Sequence, residues 1–245
     1  MIKQKVRERY GKMALVGNSD CCSSDCCTGS PVQAATVAGY DARELEMVPK
    51  ASIIGAGCGA PVRFADLQKG EMVVDLGSGA GIDVFLSANS VGRSGKVIGI
   101  DMTDEMLKKA RKNAVDNGYA NVEFRKGDIE VSIPVDDNSV DAVISNCVIN
   151  LTTDKVKTFK EIYRILRKGG RMVISDLVAD RKAAESINID SWTSCIDGAL
   201  TKSDYLGSIK DAGFQEASIL EERLFNEGKL MNGRKITSLL IRAVK

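Results

Sequence analysis

Seven cysteines and no histidine make sulfur the first place to look for chemistry in this chain. Without imidazole there is no ordinary base that titrates near neutral pH and no nitrogen metal ligand. An odd number of cysteines in a chain read as cytosolic argues against a disulfide scaffold and for thiol chemistry or thiolate ligation. Three cysteines stand apart: Cys58 in Gly57-Cys58-Gly59-Ala60-Pro61, Cys147 in Ser145-Asn146-Cys147-Val148-Ile149-Asn150-Leu151, and Cys195 in Cys195-Ile196-Asp197-Gly198-Ala199-Leu200. Any one of them, taken alone, reads as readily as a small buried apolar residue. Cys58, between glycines, is not a natural core position.

A second chemical feature is the turn Asp75-Leu76-Gly77-Ser78-Gly79-Ala80-Gly81, which follows the apolar run Met72-Val73-Val74. Glycines there let backbone N–H groups approach a ligand closely at a helix start. The spacing is G-x-G-x-G, not the G-x-G-x-x-G of dinucleotide binders, which counts against a nicotinamide oxidoreductase. Asp101 ends the next apolar run, where a carboxylate can accept both hydroxyls of a ribose. Lys126-Gly127-Asp128-Ile129 follows the third run, and Asp128 is placed to meet an adenine amino group. These three motifs, in this order, resemble the class I S-adenosylmethionine methyltransferases over roughly residues 70–245. The resemblance makes S-adenosylmethionine the expected cofactor. Its expected contacts are Asp75, Gly77, Ser78, Gly79, Gly81, Asp101, Met102, Asp128, Ile129 and Asn146.

The elements that must hold these residues alternate. Strands are expected near 72–76, 96–101, 122–125, 140–145 and 171–176. Helices are expected from about Ile82, from a Thr103 cap with Asp104 and Glu105 in the first turn, and from about Asp154 to Arg167, closed by Gly169-Gly170. A capping box at Thr201 and Asp204 starts a last helix that stops at Gly213. Two further strand-like runs, roughly 217–224 and 235–244, are too close in sequence for a helical crossover and should pair antiparallel. The expected fold is α/β: a doubly wound, mostly parallel seven-stranded sheet, Rossmann-like, with an antiparallel C-terminal hairpin. Three regions follow from this: an N-terminal Cys-rich extension (1–50), a cofactor-binding core (51–180), and a segment covering the substrate and completing the sheet (181–245).

In such a sheet ligands sit outside the carboxyl ends of the strands. Cys147 lies just past the fourth strand, Cys195 follows the fifth, and Cys58 lies in the loop entering the first, so all three can reach one rim. Gly57-Cys58-Gly59-Ala60-Pro61, the glycine turn, Ser145-Asn146-Cys147-Val148-Ile149-Asn150-Leu151 and Cys195-Ile196-Asp197-Gly198-Ala199-Leu200 together resemble the arsenite S-adenosylmethionine methyltransferases. That resemblance spans roughly 50–225. Ala60 departs from it, since many relatives carry Asn there. It implies that Cys58, Cys147 and Cys195 hold trivalent arsenic as thiolates, with a small thiol or thioredoxin-like protein as reductant.

Thiolate ligation suits soft, thiophilic As(III) and leaves its lone pair free to attack a sulfonium methyl in line. Such a nucleophile has no proton to lose, so the lack of histidine is no handicap. Nearby thiols could reduce oxidised arsenic by forming a disulfide.

Cys21, Cys22, Cys26 and Cys27 fit arsenic capture or thiol exchange, a four-thiolate zinc site, or a loop with no such role. A net charge of +1 with no long basic run argues against nucleic acid. The absence of a long apolar stretch and of a signal-peptide core makes the cytoplasm the expected compartment and a membrane an unexpected partner. Two other functions fit the residues less fully: a methyltransferase for a small quinone- or lipid-like acceptor, and a metalloid-binding protein without catalysis.

Overall fold

A mixed seven-stranded sheet organises the computed structural model, which describes residues 2–16, 30–183 and 188–245. The four clustered cysteines, Cys21, Cys22, Cys26 and Cys27, lie outside the described residues. The chain begins with the helix α1 (Ile2–Val16), then α2 (Pro31–Ala38) and α3 (Ala42–Glu46). The core follows as β1 (Met72–Leu76), α4 (Ile82–Val91), β2 (Lys96–Asp101), α5 (Asp104–Asp116), β3 (Val122–Lys126), β4 (Val140–Asn146), α6 (Lys155–Ile165) and β5 (Leu166–Ala179). It closes with α7 (Ile189–Thr193), α8 (Lys202–Asp211), β6 (Ala217–Leu224) and β7 (Ile236–Val244). The strand order is β3-β2-β1-β4-β5-β7-β6. All pairs from β3 to β5 are parallel, and β7 runs antiparallel to both β5 and β6.

The expected architecture is therefore observed, and its physical basis is plain. Helices cover both faces of the sheet, so its central strands read as continuous apolar runs. Val74 and Leu76 of β1 pack with Phe159 and Ile162 of α6 and Tyr205 and Ile209 of α8. Val73, on the other face, packs with Val84 and Phe85 of α4 and Leu107 and Ala110 of α5. Residues 30–50 add to this second core through Ala35, Ala38, Tyr40, Leu45 and Val48. Ser30 and Gln33 form a capping box at the start of α2, and Asp41 and Glu44 form one for α3.

Three local expectations change. Helix α6 stops at Ile165, short of Gly169-Gly170, because Leu166 turns extended and pairs with Val140. The glycines instead sit within β5, where Gly169 N–H donates to Lys245 O and Lys245 N–H to Gly170 O. Thr103 stands at the N-cap of α5 but its side chain does not cap it; its backbone N–H donates to Asp101 Oδ1 at 2.8 Å. At α8 only half of the capping box forms, with Asp204 N–H donating to Thr201 Oγ1, and the helix ends at Asp211. Among the described residues no helix is long and apolar enough to cross a membrane.

Candidate functional site

The glycine turn forms where β1 gives way to α4. Gly77, Gly79 and Gly81 all have positive φ, at 68°, 52° and 101°. A Cβ on Gly77 would lie 2.5 Å from Val148, so close approach of backbone as well as φ demands glycine there. Two adjoining pockets flank the turn and share Gly77, Gly79 and Asn146. One is a cleft of about 760 Å³, open at its mouth, whose lining includes Asp101, Met102, Asp128 and Ile129. The other includes Asp75, Ser78 and Asp83. Of the ten expected cofactor contacts, Gly81 alone lines neither; it turns the chain into α4, where a Cβ would press on Phe85.

Asp101 is held from two sides. Its carboxylate accepts Gly79 N–H at 2.9 Å and Thr103 N–H at 2.8 Å. Burial nonetheless raises its pKa. Burial also holds the Asp75 carboxyl well above its usual range, and the charges of Asp83 and Asp101 add to this. Asp83 is pushed to about 6 by burial, against hydrogen bonds from Tyr40 and Asn146. Asp128 does not stand open: Lys3 of α1 pairs with it at 2.8 Å and with Glu130 at 3.3 Å.

Asn146 joins this cleft to the cysteines. Its Oδ1 accepts Cys58 N–H at 3.0 Å and Gly59 N–H at 3.3 Å. Its Nδ2 donates to Gly59 O at 2.6 Å and to the Tyr40 hydroxyl at 2.9 Å, which in turn donates to Asp83. Gly57 makes room, since a Cβ there would sit 2.7 Å from Asn146 Nδ2. Ser238 Oγ and Arg223 hold the Cys58 carbonyl from the other side at 2.8 and 2.9 Å.

The structure brings the three isolated cysteines together at one end of the sheet. Cys58 and Cys147 are joined as a disulfide, with Cα atoms 6.0 Å apart. Cys195 keeps its thiol, which donates to Cys147 O at 2.9 Å. The disulfide sits at the rim and is not a scaffold, in line with the expectation of thiol chemistry there. The register explains the meeting. Asn146 pairs with Ser175, so Cys147 N–H donates to Ser175 O and Asp176 falls beside it. Both sulfurs of the disulfide and an Asp176 oxygen lie within 4.8 Å of one another. Cys147 and Cys195 have φ of 61° and 65°, uncommon for residues with a Cβ and held by these contacts. The Cys195 loop is anchored by buried Arg234, which donates to Ala199 O at 3.1 Å and Ile196 O at 2.5 Å and pairs with Asp197 at 3.4 Å.

The electrostatics around Cys195 were not legible in the sequence. Burial drives its thiol pKa well up, and the Asp176 charge adds to this. The charges of Lys155 and Arg9 pull the other way. Asp176 itself is pushed to about 6 by burial, partly offset by Lys155. Burial lowers the Lys155 pKa, against the pull of Asp176 and Cys195. Asp176 carried one usable signal, an acidic residue near the carboxyl end of a strand next to β4. Lys155 and Tyr10 read only as helical residues, and Tyr40 and Asp83 gave no signal.

Comparison with known proteins places this geometry. The profile of a family described as a methyltransferase domain matches residues 67–213. An arsenite methyltransferase of Halobacterium salinarum is 44% identical over 229 residues, covering 89% of this chain and 58% of that protein. One from Aquipseudomonas alcaligenes is 38% identical over 231 residues, covering 90% and 64%. The chain thus spans about three fifths of the curated relatives it matches. The crystal structure of an arsenic(III) S-adenosylmethionine methyltransferase from Chlamydomonas reinhardtii superposes with a TM-score of 0.70 at 32% identity, covering 88% of this chain and 73% of that one.

Proposed function

Because this chain belongs to the methyltransferase-domain family and, within it, to the arsenite methyltransferases, we propose that it methylates trivalent arsenic held by Cys58, Cys147 and Cys195. S-Adenosylmethionine, when bound, supplies an electrophilic methyl group on a positively charged sulfur. The cleft suits such a ligand. Its two pockets are lined by Asp75, Asp83, Asp101, Asp128 and Glu130, with Lys3 the one basic lining residue. A cation entering there would favour the charged form of Asp75 and Asp101, which burial otherwise disfavours. Ile100, Met102, Ile129 and Val148 give the apolar walls that an adenine ring needs. The buried Ser78 hydroxyl has no hydrogen-bond partner among the described residues.

One observation carries the arsenic reading. Cys147 lines the cofactor cleft while it is bonded to Cys58 and receives the Cys195 thiol on its carbonyl. Arsenic bound to these sulfurs would lie at the edge of the methyl-donor site. Bound there, it keeps a lone pair and loses no proton on forming a bond to carbon, so the chain needs no general base. The residues contribute orientation: Asn146 and Ser238 fix the Cys58 loop, and Arg234 fixes the Cys195 loop. Methylation removes two electrons from arsenic. Two thiols can return them by leaving arsenic as a disulfide, and Cys58 and Cys147 already form that product. A small thiol or thioredoxin-like reductant then restores both thiols.

Serine replacements test the assignment. Cys58→Ser, Cys147→Ser and Cys195→Ser should each lower arsenite methylation by at least about 100-fold, with cofactor affinity within about two-fold of the parent. Variants that keep methylating arsenite at the parent rate would exclude the three-thiolate site. Variants that lose arsenite but keep an organic acceptor would make the thiols a substrate-specific addition to a broader enzyme.

A further inference from the structure

A third cavity, of about 510 Å³, lies beyond the Cys58 loop and shares no lining residue with the two cofactor pockets. The loop divides them: Gly55, Ala56 and Gly57 line a cofactor pocket, whereas Gly59 lines this one. Its walls also include Ser175 of β5, Ser238 of β7, Glu221 and Arg223 of β6, and Arg63. The volume is that of a small-molecule site. Ser175 brings the cavity to the disulfide, since its Oγ lies 3.5 Å from Cys58 Sγ and 3.5 Å from Ser238 Oγ. Gly59 permits this closeness, because a Cβ there would collide with Ser175 Oγ. Approach from the cofactor side leads first to Cys147, which lines the cleft. Approach from the third cavity leads, past Ser175, to Cys58.

We propose that this cavity docks the thiol that reopens the Cys58–Cys147 disulfide: a small thiol of amino-acid type, its carboxylate on Arg63, attacking Cys58 Sγ past Ser175. The proposal rests on the redox step of the reading above. The lining holds two guanidinium groups and one carboxylate. Arg223 is already engaged, donating to Val37 O, Ala38 O and Cys58 O, with its Nε 4.0 Å from Glu221. Arg63 is less so. Its Nη1 donates to Gly39 O, its Nε lies 3.7 Å from Glu44, and its Nη2 makes no hydrogen bond among the described residues. A carboxylate can take that edge of the guanidinium, and Glu221 offers an acceptor to an ammonium. Cys58 is buried behind the cavity wall, so a free small molecule suits the path where a thiol on a folded protein surface does not. The thiolate bonds to Cys58 Sγ, the Cys58–Cys147 bond breaks, and Cys147 leaves as a thiolate that takes up a proton. A second thiol attacks the outer sulfur of the mixed disulfide, returning Cys58 as a thiol and leaving as the symmetrical disulfide. Reduction from this side leaves the methyl-donor cleft occupied.

Cysteine and cysteamine differ by the carboxylate alone, so they serve as the paired probes. The disulfide-linked protein is mixed with each, quenched in acid at intervals, alkylated, digested and read by mass spectrometry. Per thiolate, cysteine should reduce the disulfide about ten-fold faster than cysteamine, the size of one hydrogen-bonded contact to a charged group. In Arg63→Gln the two rates should fall within about two-fold of each other. The transient mixed disulfide should sit on the peptide containing Cys58. Saturating S-adenosylhomocysteine should change the rate by less than about two-fold. Equal rates for the two thiols on the parent protein would overturn the proposal. So would adducts mainly on Cys147, or a block by S-adenosylhomocysteine, since either would bring the thiol in through the cofactor cleft. No arsenic enters this experiment, so its result stands apart from whether the protein methylates arsenite.

Discussion

Asn146 Oδ1 accepts the backbone N–H of Cys58 at 3.0 Å, tying the loop that enters β1 to the residue just before Cys147. One amide side chain thereby sets the approach of two cysteines 89 residues apart in sequence. Asn146→Ala would leave Cys58 N–H, Gly59 N–H and Gly59 O without this partner and strip a donor from Tyr40. Loss of these bonds should cost roughly 2–4 kcal/mol of stability and weaken arsenite binding by at least about ten-fold. Equilibrium denaturation of the parent and variant checks the first figure. A variant as stable as the parent would show that the disulfide, Ser238 and Arg223 hold the Cys58 loop without Asn146.

The Cys58–Cys147 disulfide makes arsenite binding depend on reductant. Protein alkylated before reduction and then digested should yield a peptide containing Cys58 linked to one containing Cys147. Treatment with a dithiol should release both and raise arsenite binding at the rim from near zero to stoichiometric. Full arsenite binding by the linked form would place the metalloid elsewhere.

Asp101 accepts two backbone N–H groups and faces the cleft. Asp101→Ala should weaken S-adenosylmethionine by at least about ten-fold, from the loss of charge-assisted contacts to a ribose. Arsenite binding to the reduced thiols should stay within about two-fold. Calorimetric titration of each ligand separates the two. Equal weakening of both would mean that Asp101 holds the glycine turn and not the cofactor.

Two buried carboxyls give the stability a pH dependence of known sign. Asp83 and Asp176 are each held at about 6 by burial, above the roughly 4 of an unfolded aspartate. As pH falls through 6, the folded protein binds protons that the unfolded chain does not yet take up. These groups therefore stabilise the fold as pH drops from 8 towards 5, and destabilise it as pH rises. Glu123, held at about 2 by hydrogen bonds from Arg125 and Lys96, acts in the opposite direction only below about pH 4.5. Asp176→Asn should flatten the rise in melting temperature between pH 8 and 5.5. A variant with the slope of the parent would show that Asp176 is not protonated in that window.

The order of the sheet was readable because each central strand is a continuous apolar run ending in a chemically marked residue: Asp75 before the glycines, Asp101 before Thr103, Asn146 before Cys147. The end of α6 was not. Leu166 satisfies a helical stripe as well as a strand, and its pairing with Val140 decides between them. Thr103 looked like a cap, yet its side chain makes no capping bond and Asp101 instead holds its backbone N–H. The three rim cysteines could be picked out one by one. Their bonding state could not, because it depends on the β4–β5 register and on the loop held by Asn146. Lys155 gains meaning only from tertiary contacts, since nothing in its spacing separates it from an ordinary helix position, whereas Asp176 was marked only by its place near the carboxyl end of a strand.

The most direct test of the central claim is product speciation. Reduced protein, arsenite, S-adenosylmethionine and a thiol are incubated, and arsenic species are separated and counted. The account predicts methylated arsenic in proportion to S-adenosylhomocysteine formed, and none from Cys195→Ser with its cofactor binding intact. Inorganic arsenite recovered unchanged from a reduced protein that binds both ligands would contradict it.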